Sequence, residues 1–164
     1  MILVTVGTQK FPFNRLLKKV DDLIHQRVIT DTVMGQTGHS HYRLQNYSGR
    51  EFFGEEEFYS LINQCEILIT HGGIGTITKG LLLKKKVIIV PRRKEYGEHI
   101  DNHQREIGER FSEMGYAVLC ESPDRLEAAL EEIHKMERKD FRLSWFHSAG
   151  FVRKYLSAAE AERL

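Results

Sequence analysis

The sequence predicts an α/β chain built on a doubly wound parallel sheet. Three observations carry this. Short apolar runs at 2–6, 28–34, 67–70, 87–90 and 117–120 alternate with stretches whose apolar residues recur every three or four positions. The run at 67–70 breaks into His71-Gly72-Gly73-Ile74-Gly75-Thr76, a helix follows to about Lys84, and the run at 87–90 stops at Pro91. Strand, glycine loop, helix, strand is a βαβ unit. Finally, polar or small residues stand where one element hands over to the next, at Gly7-Thr8-Gln9 and Ser122-Pro123-Asp124.

Taken in order, residues 2–6 form the first strand and Pro12 opens a helix. Phe13, Leu16, Leu17, Val20, Leu23 and Ile24 make its apolar face. A second strand is expected over 28–34, a polar loop over 35–41, and a short strand within 42–47. Glu55-Glu56-Glu57 suit the positive end of a helix whose core face is Phe58, Leu61, Ile62 and Cys65. After the βαβ unit, a helix is expected from Ile100 to Met114, with Ile100, Ile107 and Phe111 inward. Another follows Pro123, with Ser122 as its cap and Leu126, Ala129, Leu130, Ile133 and Met136 inward. A last helix is expected over 141–164. Its Trp145, Phe146, Phe151, Val152, Tyr155 and Leu156 either pack back on the sheet or face a partner.

Length and composition narrow the function. The 164 residues suit one domain, and 41% apolar with 29% charged residues is ordinary for a globular protein. A net charge of +1 gives no electrostatic case for nucleic acid as the main partner. Apolar runs are too short to span a bilayer, and the first residues read as a strand without a basic leader. Cys65 and Cys120 read as reduced core thiols, which places the chain in the cytosol.

The glycine loop carries the chemistry. Glycines let backbone approach a ligand, and a helix start offers unpaired N–H groups to a phosphate. Gly73-x-Gly75 lacks the third glycine of a dinucleotide fingerprint, since Thr78 stands there, and lacks the Lys-Ser/Thr of a P-loop. A phosphate cradle and a plain tight turn both remain open on the glycines alone. Thr8 and Gln9 equally suit ligand donors or helix caps. No metal site is expected. His39 and His41 lack partners of ligating type, and H-I-D-N-H at His99 and His103 lacks the glutamate of the zinc-protease motif. Arg92 and Arg93 at a strand end would suit a 2′-phosphate, which keeps a dinucleotide-binding oxidoreductase as a rival.

Three stretches stand in register with one family: V-T-V-G-T-Q, T-H-G-G-I-G-T-I and P-R-R-K-E-Y-G-E-H-I-D-N-H-Q. Together they resemble the C-terminal, donor-binding half of GT-B glycosyltransferases of family 28. The likeness is nearest to the small donor subunits of two-component UDP-sugar transferases, of bacterial capsule and exopolysaccharide synthesis or of the eukaryotic dolichol-diphosphate pathway. It implies a Rossmann-like single domain over 1–164, with 141–164 docking a partner. It implies that Gly7, Thr8 and Gln9 lie beside the donor diphosphate. His71, Gly72, Gly73, Gly75 and Thr76 would hold the α-phosphate and ribose side, and backbone near Phe53 would read the uracil. His99, Asn102, His103 and Gln104 would reach the sugar, with Gln104 the leading contact and His99 or His103 the candidate bases. Lys79 replaces the acidic residue that binds ribose in single-chain relatives. No cofactor or metal is implied.

The resemblance further implies a hexosyl transfer from a UDP-sugar (galactose, glucose or GlcNAc) to a lipid-diphosphate-linked glycan. Because the chain opens at the donor domain's first strand, the acceptor half is expected on another, membrane-anchored polypeptide. That partner would recruit the chain to the cytosolic membrane face. A non-catalytic enhancer subunit of such a transferase is the alternative.

Overall fold

The computed structural model of the chain describes residues 1–142. Its strands are β1 (Ile2–Thr5), β2 (Val33–Gln36), β3 (Ser48–Arg50), β4 (Ile67–Thr70), β5 (Lys86–Ile89) and β6 (Val118–Leu119). They form one parallel sheet in the order β3-β2-β1-β4-β5-β6. The helices are α1 (Asn14–His25), α2 (Glu55–Gln64), α3 (Ile74–Leu82), α4 (His103–Glu113) and α5 (Leu126–Lys135). The expected doubly wound α/β architecture is what the chain adopts.

Alternation along the strands builds two cores. Ile2, Val4, Ile67, Ile69, Ile88 and Val90 face one side, where α1 supplies Leu16, Leu17, Val20 and Leu23, and α5 supplies Leu126, Leu130 and Ile133. Leu3, Leu68, Val87 and Ile89 face the other, against Ile62 of α2, Ile77 and Leu81 of α3, and Ile107 and Phe111 of α4. A strand buried on both faces reads as an unbroken apolar run, which is why the central strands were visible in the sequence. Cys65 and Cys120 are free and buried, and burial pushes their thiols up to about 11 and about 12. Almost no reactive thiolate exists at neutral pH.

Several boundaries differ from expectation. The second strand begins at Val33, not Val28, because α1 ends with Arg27 at φ 60° and both Val28 and Ile29 donate their N–H to the Leu23 carbonyl. The strand then runs on through Gly35 and Gln36, which the sequence placed in a loop. Residues 42–47 form no strand. Buried Asp21 of α1 takes the Gln45 N–H at 2.8 Å and the Asn46 N–H at 2.6 Å, and the Tyr47 hydroxyl reaches the Leu17 carbonyl. Pairing resumes only at Ser48. Pro12 precedes α1 and lies outside it. Helix α4 starts at His103, so Ile100 is 66% exposed and does not point inward. Phe141 packs edge-on against Tyr116. The rest of the expected last helix, with Trp145, Phe151 and Tyr155, lies outside the described residues.

At the amino-terminal edge of the sheet, lysines sit on helix ends. The Lys85 ammonium donates to the Asn63 carbonyl of α2, Lys86 to His134 of α5, and Lys139 to Met114 after α4. Cations at unpaired terminal carbonyls complement the helix dipole. Among the described residues no helix is long and apolar enough to cross a membrane.

Candidate functional site

Strand order reverses between β1 and β4, since β2 lies on one side of β1 and β5 on the far side of β4. The loops leaving their carboxyl ends must therefore part, and the crevice between them is where open α/β sheets bind ligands. Gly7-Thr8-Gln9 leave β1 there and His71-Gly72-Gly73 leave β4.

His71 is the keystone of that crevice. Its ring lies between two glycines: a Cβ on Gly7 would come within 2.4 Å of it, and one on Gly73 within 2.3 Å. Those glycines are thus required by the histidine, and Gly7 also by its φ of 79°. Burial, then the nearby Arg92 guanidinium, lower His71 to about 3, so the imidazole is neutral. On unfolding, the ring regains its ordinary value of 6.5. Below that pH the unfolded chain takes up a proton that the folded chain refuses. His71 therefore contributes stability above pH 6.5 that is lost as pH falls toward 3. Between pH 6 and 4, unfolding free energy should drop by up to about 1.4 kcal/mol per pH unit from this group. Urea titrations should show that component missing from the pH slope of His71→Gln.

Beyond Gly73 the chain enters α3 with no side-chain cap. Its first N–H groups have no partner within the helix, and its positive dipole end faces the crevice. A Cβ on Gly75 would meet nothing within 4 Å, and Thr76 is half-buried beside it. Thr8 and Gln9 are exposed across the gap. Lys79 is half-buried in the second half of α3.

The third wall follows β5. Gln104 is 5% exposed, and its amide oxygen accepts the N–H of Gly72 and of Arg92, each at 3.1 Å. The Gly72 Cα has no room for a side chain, because the Gln104 Cβ would be 2.5 Å away. So Gln104 joins the loops after β4 and β5 to α4, and its oxygen is committed to backbone. Gln104→Leu should cost about 1–3 kcal/mol in urea unfolding, the price of two orphaned amides, whereas Gln104→Glu keeps the acceptor. A leucine variant as stable as the parent would show that the bridge contributes nothing.

The histidines expected on the sugar side lie close together. His99 is nearly buried against Phe11, with ring centroids 5.9 Å apart, and its Nδ1 is 3.0 Å from an Asp101 oxygen. His103 is exposed, and its N–H donates to the same Asp101 oxygen at 3.0 Å. Asn102 is exposed and accepts the Lys94 N–H through its side chain. Phe53 lies out past β2. Its N–H donates to the Gln36 Oε1 at 3.2 Å, while the Gln36 amide donates to Thr5 Oγ1, which also accepts the Gly7 N–H. Phe52 stands beside it, edge-on to His39 at 5.2 Å. Among the described residues no group of three metal-ligating side chains is arranged to hold a metal.

The two arginines do not have the occupation that the rival dinucleotide reading would give them. Arg92 is fully buried: its guanidinium donates to the carbonyls of Phe11, Glu98 and Val6, and lies over the Phe13 ring. Burial lowers it to about 10, against the opposing pull of Glu98. Arg93 holds Glu121 at 2.7 Å. Neither is left to take a 2′-phosphate, so the oxidoreductase reading loses the feature that suggested it. Arg15, Gln36, Glu98 and Asp101 went unnoticed. The one signal for Glu98 was its place in a charged loop, where a solvated carboxylate is the ordinary outcome.

Comparison with known proteins agrees with this geometry. The model of the glycosyltransferase family 28 C-terminal domain matches residues 1–147. The UDP-N-acetylglucosamine transferase subunit ALG13 of Candida glabrata is 31% identical over 97 residues, covering 58% of this chain and 43% of that protein. The UDP-N-acetylglucosamine–N-acetylmuramyl-(pentapeptide) pyrophosphoryl-undecaprenol N-acetylglucosamine transferase of Prochlorococcus marinus (strain MIT 9215) is 28% identical over 131 residues, covering 76% of this chain and 33% of that protein. The chain thus spans less than half the length of either relative. Among solved structures, the NMR structure of ALG13 superposes with a TM-score of 0.62 at 22% identity, covering 90% of this chain and 93% of that one. Acinetobacter baumannii MurG gives 0.55 at 17% identity, covering 81% and 40%. These likenesses establish the fold as Rossmann-like, equivalent to the C-terminal half of a GT-B glycosyltransferase.

Proposed function

The chain belongs to the glycosyltransferase family 28 C-terminal domain family, and from that premise we propose that it is the donor-binding, catalytic-side subunit of a two-component inverting glycosyltransferase. It binds a UDP-sugar, and the acceptor, a lipid-diphosphate-linked glycan, is held by a membrane-anchored partner at the cytosolic membrane face. The observation that carries this reading is the uncapped start of α3, open around Gly75, at the switch point between β1 and β4. Backbone N–H groups and a positive dipole end in such a crevice suit a diphosphate.

In the reaction the acceptor hydroxyl gives its proton to a base as its oxygen attacks the anomeric carbon, and the bond to UDP breaks. Charge gathers on the leaving diphosphate, where the α3 N–H groups, Thr8 and Thr76 stabilise it without reorganising. Gly7 and Gln9 flank the same diphosphate, and the backbone near Phe53 borders the base. His99, Asn102 and His103 face the sugar, with Gln104 as the bracket behind them. His99 and His103 are the bases this chain offers. Both curated relatives bear names that specify UDP-N-acetylglucosamine, which puts GlcNAc ahead of galactose and glucose.

Calorimetric titration with UDP, UDP-galactose, UDP-glucose and UDP-GlcNAc tests this. Binding of UDP with the tightest binding for one sugar nucleotide is the expected result. If none binds, to the chain alone or with its acceptor-binding partner, the donor site is wrong and the chain is a non-catalytic enhancer.

A further inference from the structure

We infer that Glu98 is a positioning residue. With Arg15 it latches the loop that carries His99 and Asn102 onto α1, and so sets how strongly the site prefers a UDP-sugar over UDP. This rests on the donor-site reading above.

Glu98 is 3% exposed, although its neighbours Lys94 to Gly97 and Ile100 are exposed. A buried carboxylate is costly unless paired and fully hydrogen-bonded. Here it is. Arg15 of α1 donates from Nε at 2.7 Å to one oxygen and from NH2 at 2.9 Å to the other, the two-pronged geometry that guanidinium favours. The Arg93 N–H adds a third bond at 3.0 Å, and the Glu98 carbonyl accepts from Arg92. The Arg15 guanidinium also lies 4.0 Å over the Tyr96 ring, which roofs the pair.

Hydrophobic packing gives the tip of the loop little hold. Tyr96 is 61% and Ile100 66% exposed, so hydrophobic burial does not anchor the turn. Beside the Arg92 bond to the Glu98 carbonyl, the Asn102 bond to the Lys94 N–H and the packing of His99 on Phe11, what ties it to α1 is the contact of Glu98 with Arg15, 83 residues away in sequence. The phosphate side is held by β4, by α3 and by His71 between its two glycines, and its link to this loop runs through Gln104 and the Arg92 backbone, not through the Glu98 carboxylate. Breaking the latch should therefore loosen the sugar side and leave the diphosphate side in place. Binding geometry on the sugar side would then have to be restored by the ligand on each binding event.

The test uses the full chain as wild type, Glu98→Gln, Arg15→Met and the double variant. Glutamine keeps the shape but has a single acceptor oxygen, so it cannot take both prongs of Arg15, and its NH2 would face a guanidinium N–H. Arg15→Met attacks the latch from α1 and leaves the loop sequence untouched. Amide exchange at Arg93, Gly97 and Glu98 should accelerate by about tenfold or more in each variant, with α3 unchanged. The affinity for UDP should stay within about twofold, while the advantage of UDP-GlcNAc over UDP should fall several-fold, with the double variant no worse than the singles. Unchanged exchange in the loop would overturn the latch. So would equal weakening of UDP and UDP-GlcNAc, since that marks a general stabilising role. A wild-type chain that binds neither nucleotide would sink the donor reading, and the exchange measurement would still decide the latch.

Discussion

Gly75→Leu should abolish UDP binding while leaving the protein folded. The two halves of this result come from different facts. A Cβ at Gly75 meets no atom within 4 Å, the residue is exposed, and its backbone is helical, so leucine enters without strain. Glycine is a poor helix residue, and the exchange should even raise stability by up to about 0.8 kcal/mol. The same open space is where the first N–H groups of α3 face the crevice. A leucine side chain filling it would deny a diphosphate two or three charge-assisted hydrogen bonds, each worth about 1.5–3 kcal/mol. The loss of affinity should exceed about a hundredfold. Calorimetry with UDP measures the loss, and a thermal melt reports the intact fold. Gly73→Ala makes the contrast, because its Cβ would sit 2.3 Å from His71 Nε2 and force the ring to move. If Gly75→Leu binds UDP like the parent, α3 does not hold the diphosphate.

Arg92→Met should lower the unfolding free energy by about 2–4 kcal/mol. Two terms compete. Burying the guanidinium is unfavourable, as its lowering to about 10 shows, and methionine removes that cost. Against this, the carbonyls of Val6 and Glu98 lose their donor where they are buried, and that of Phe11 loses it where it is part-buried. Each orphaned carbonyl costs about 1–3 kcal/mol, so the losses win. Arg92→Lys should rescue little, because one ammonium cannot reproduce a planar fork that reaches three loops. Urea unfolding gives the number, and a change below about 0.5 kcal/mol would show that the network does not hold the crevice together. Arg92 is also the second cause of the low His71 value, so His71 should titrate higher in Arg92→Met.

Much of the candidate site was legible because local chemistry announced it. Glycines followed by a helix mark a tight approach wherever they occur, and Gly7, His71, Gly72, Gly73, Gly75 and Thr76 all lie at the switch point. What the sequence did not show is what each glycine makes room for within the protein. Gly7 and Gly73 make room for His71, Gly72 for Gln104, and Gly75 alone opens on free space. Gln104, expected at the sugar, bridges two loops through its oxygen. Arg92 looked like an anion reader and proves to be the most deeply buried cation of the crevice. A one-dimensional pattern says which residue types are present, and it does not say whose carbonyls they will meet.

The sequence by itself determined the layering of this protein. A period of two with both faces apolar requires a covered parallel strand, and a period of three to four requires a helix lying on it, whatever the rest of the chain does. Those rules act between neighbours, so they can be read locally. Where β2 and α4 begin was decided only in three dimensions. So was the displacement of the third strand to Ser48, and so was the conversion of a solvated-looking Glu98 into a buried latch. The last two depend on a polar group meeting a partner far along the chain: Asp21 with residues 45 and 46, Glu98 with Arg15. A buried charge is tolerated only where such a partner arrives, and its arrival is a property of the folded sheet, not of any stretch of sequence.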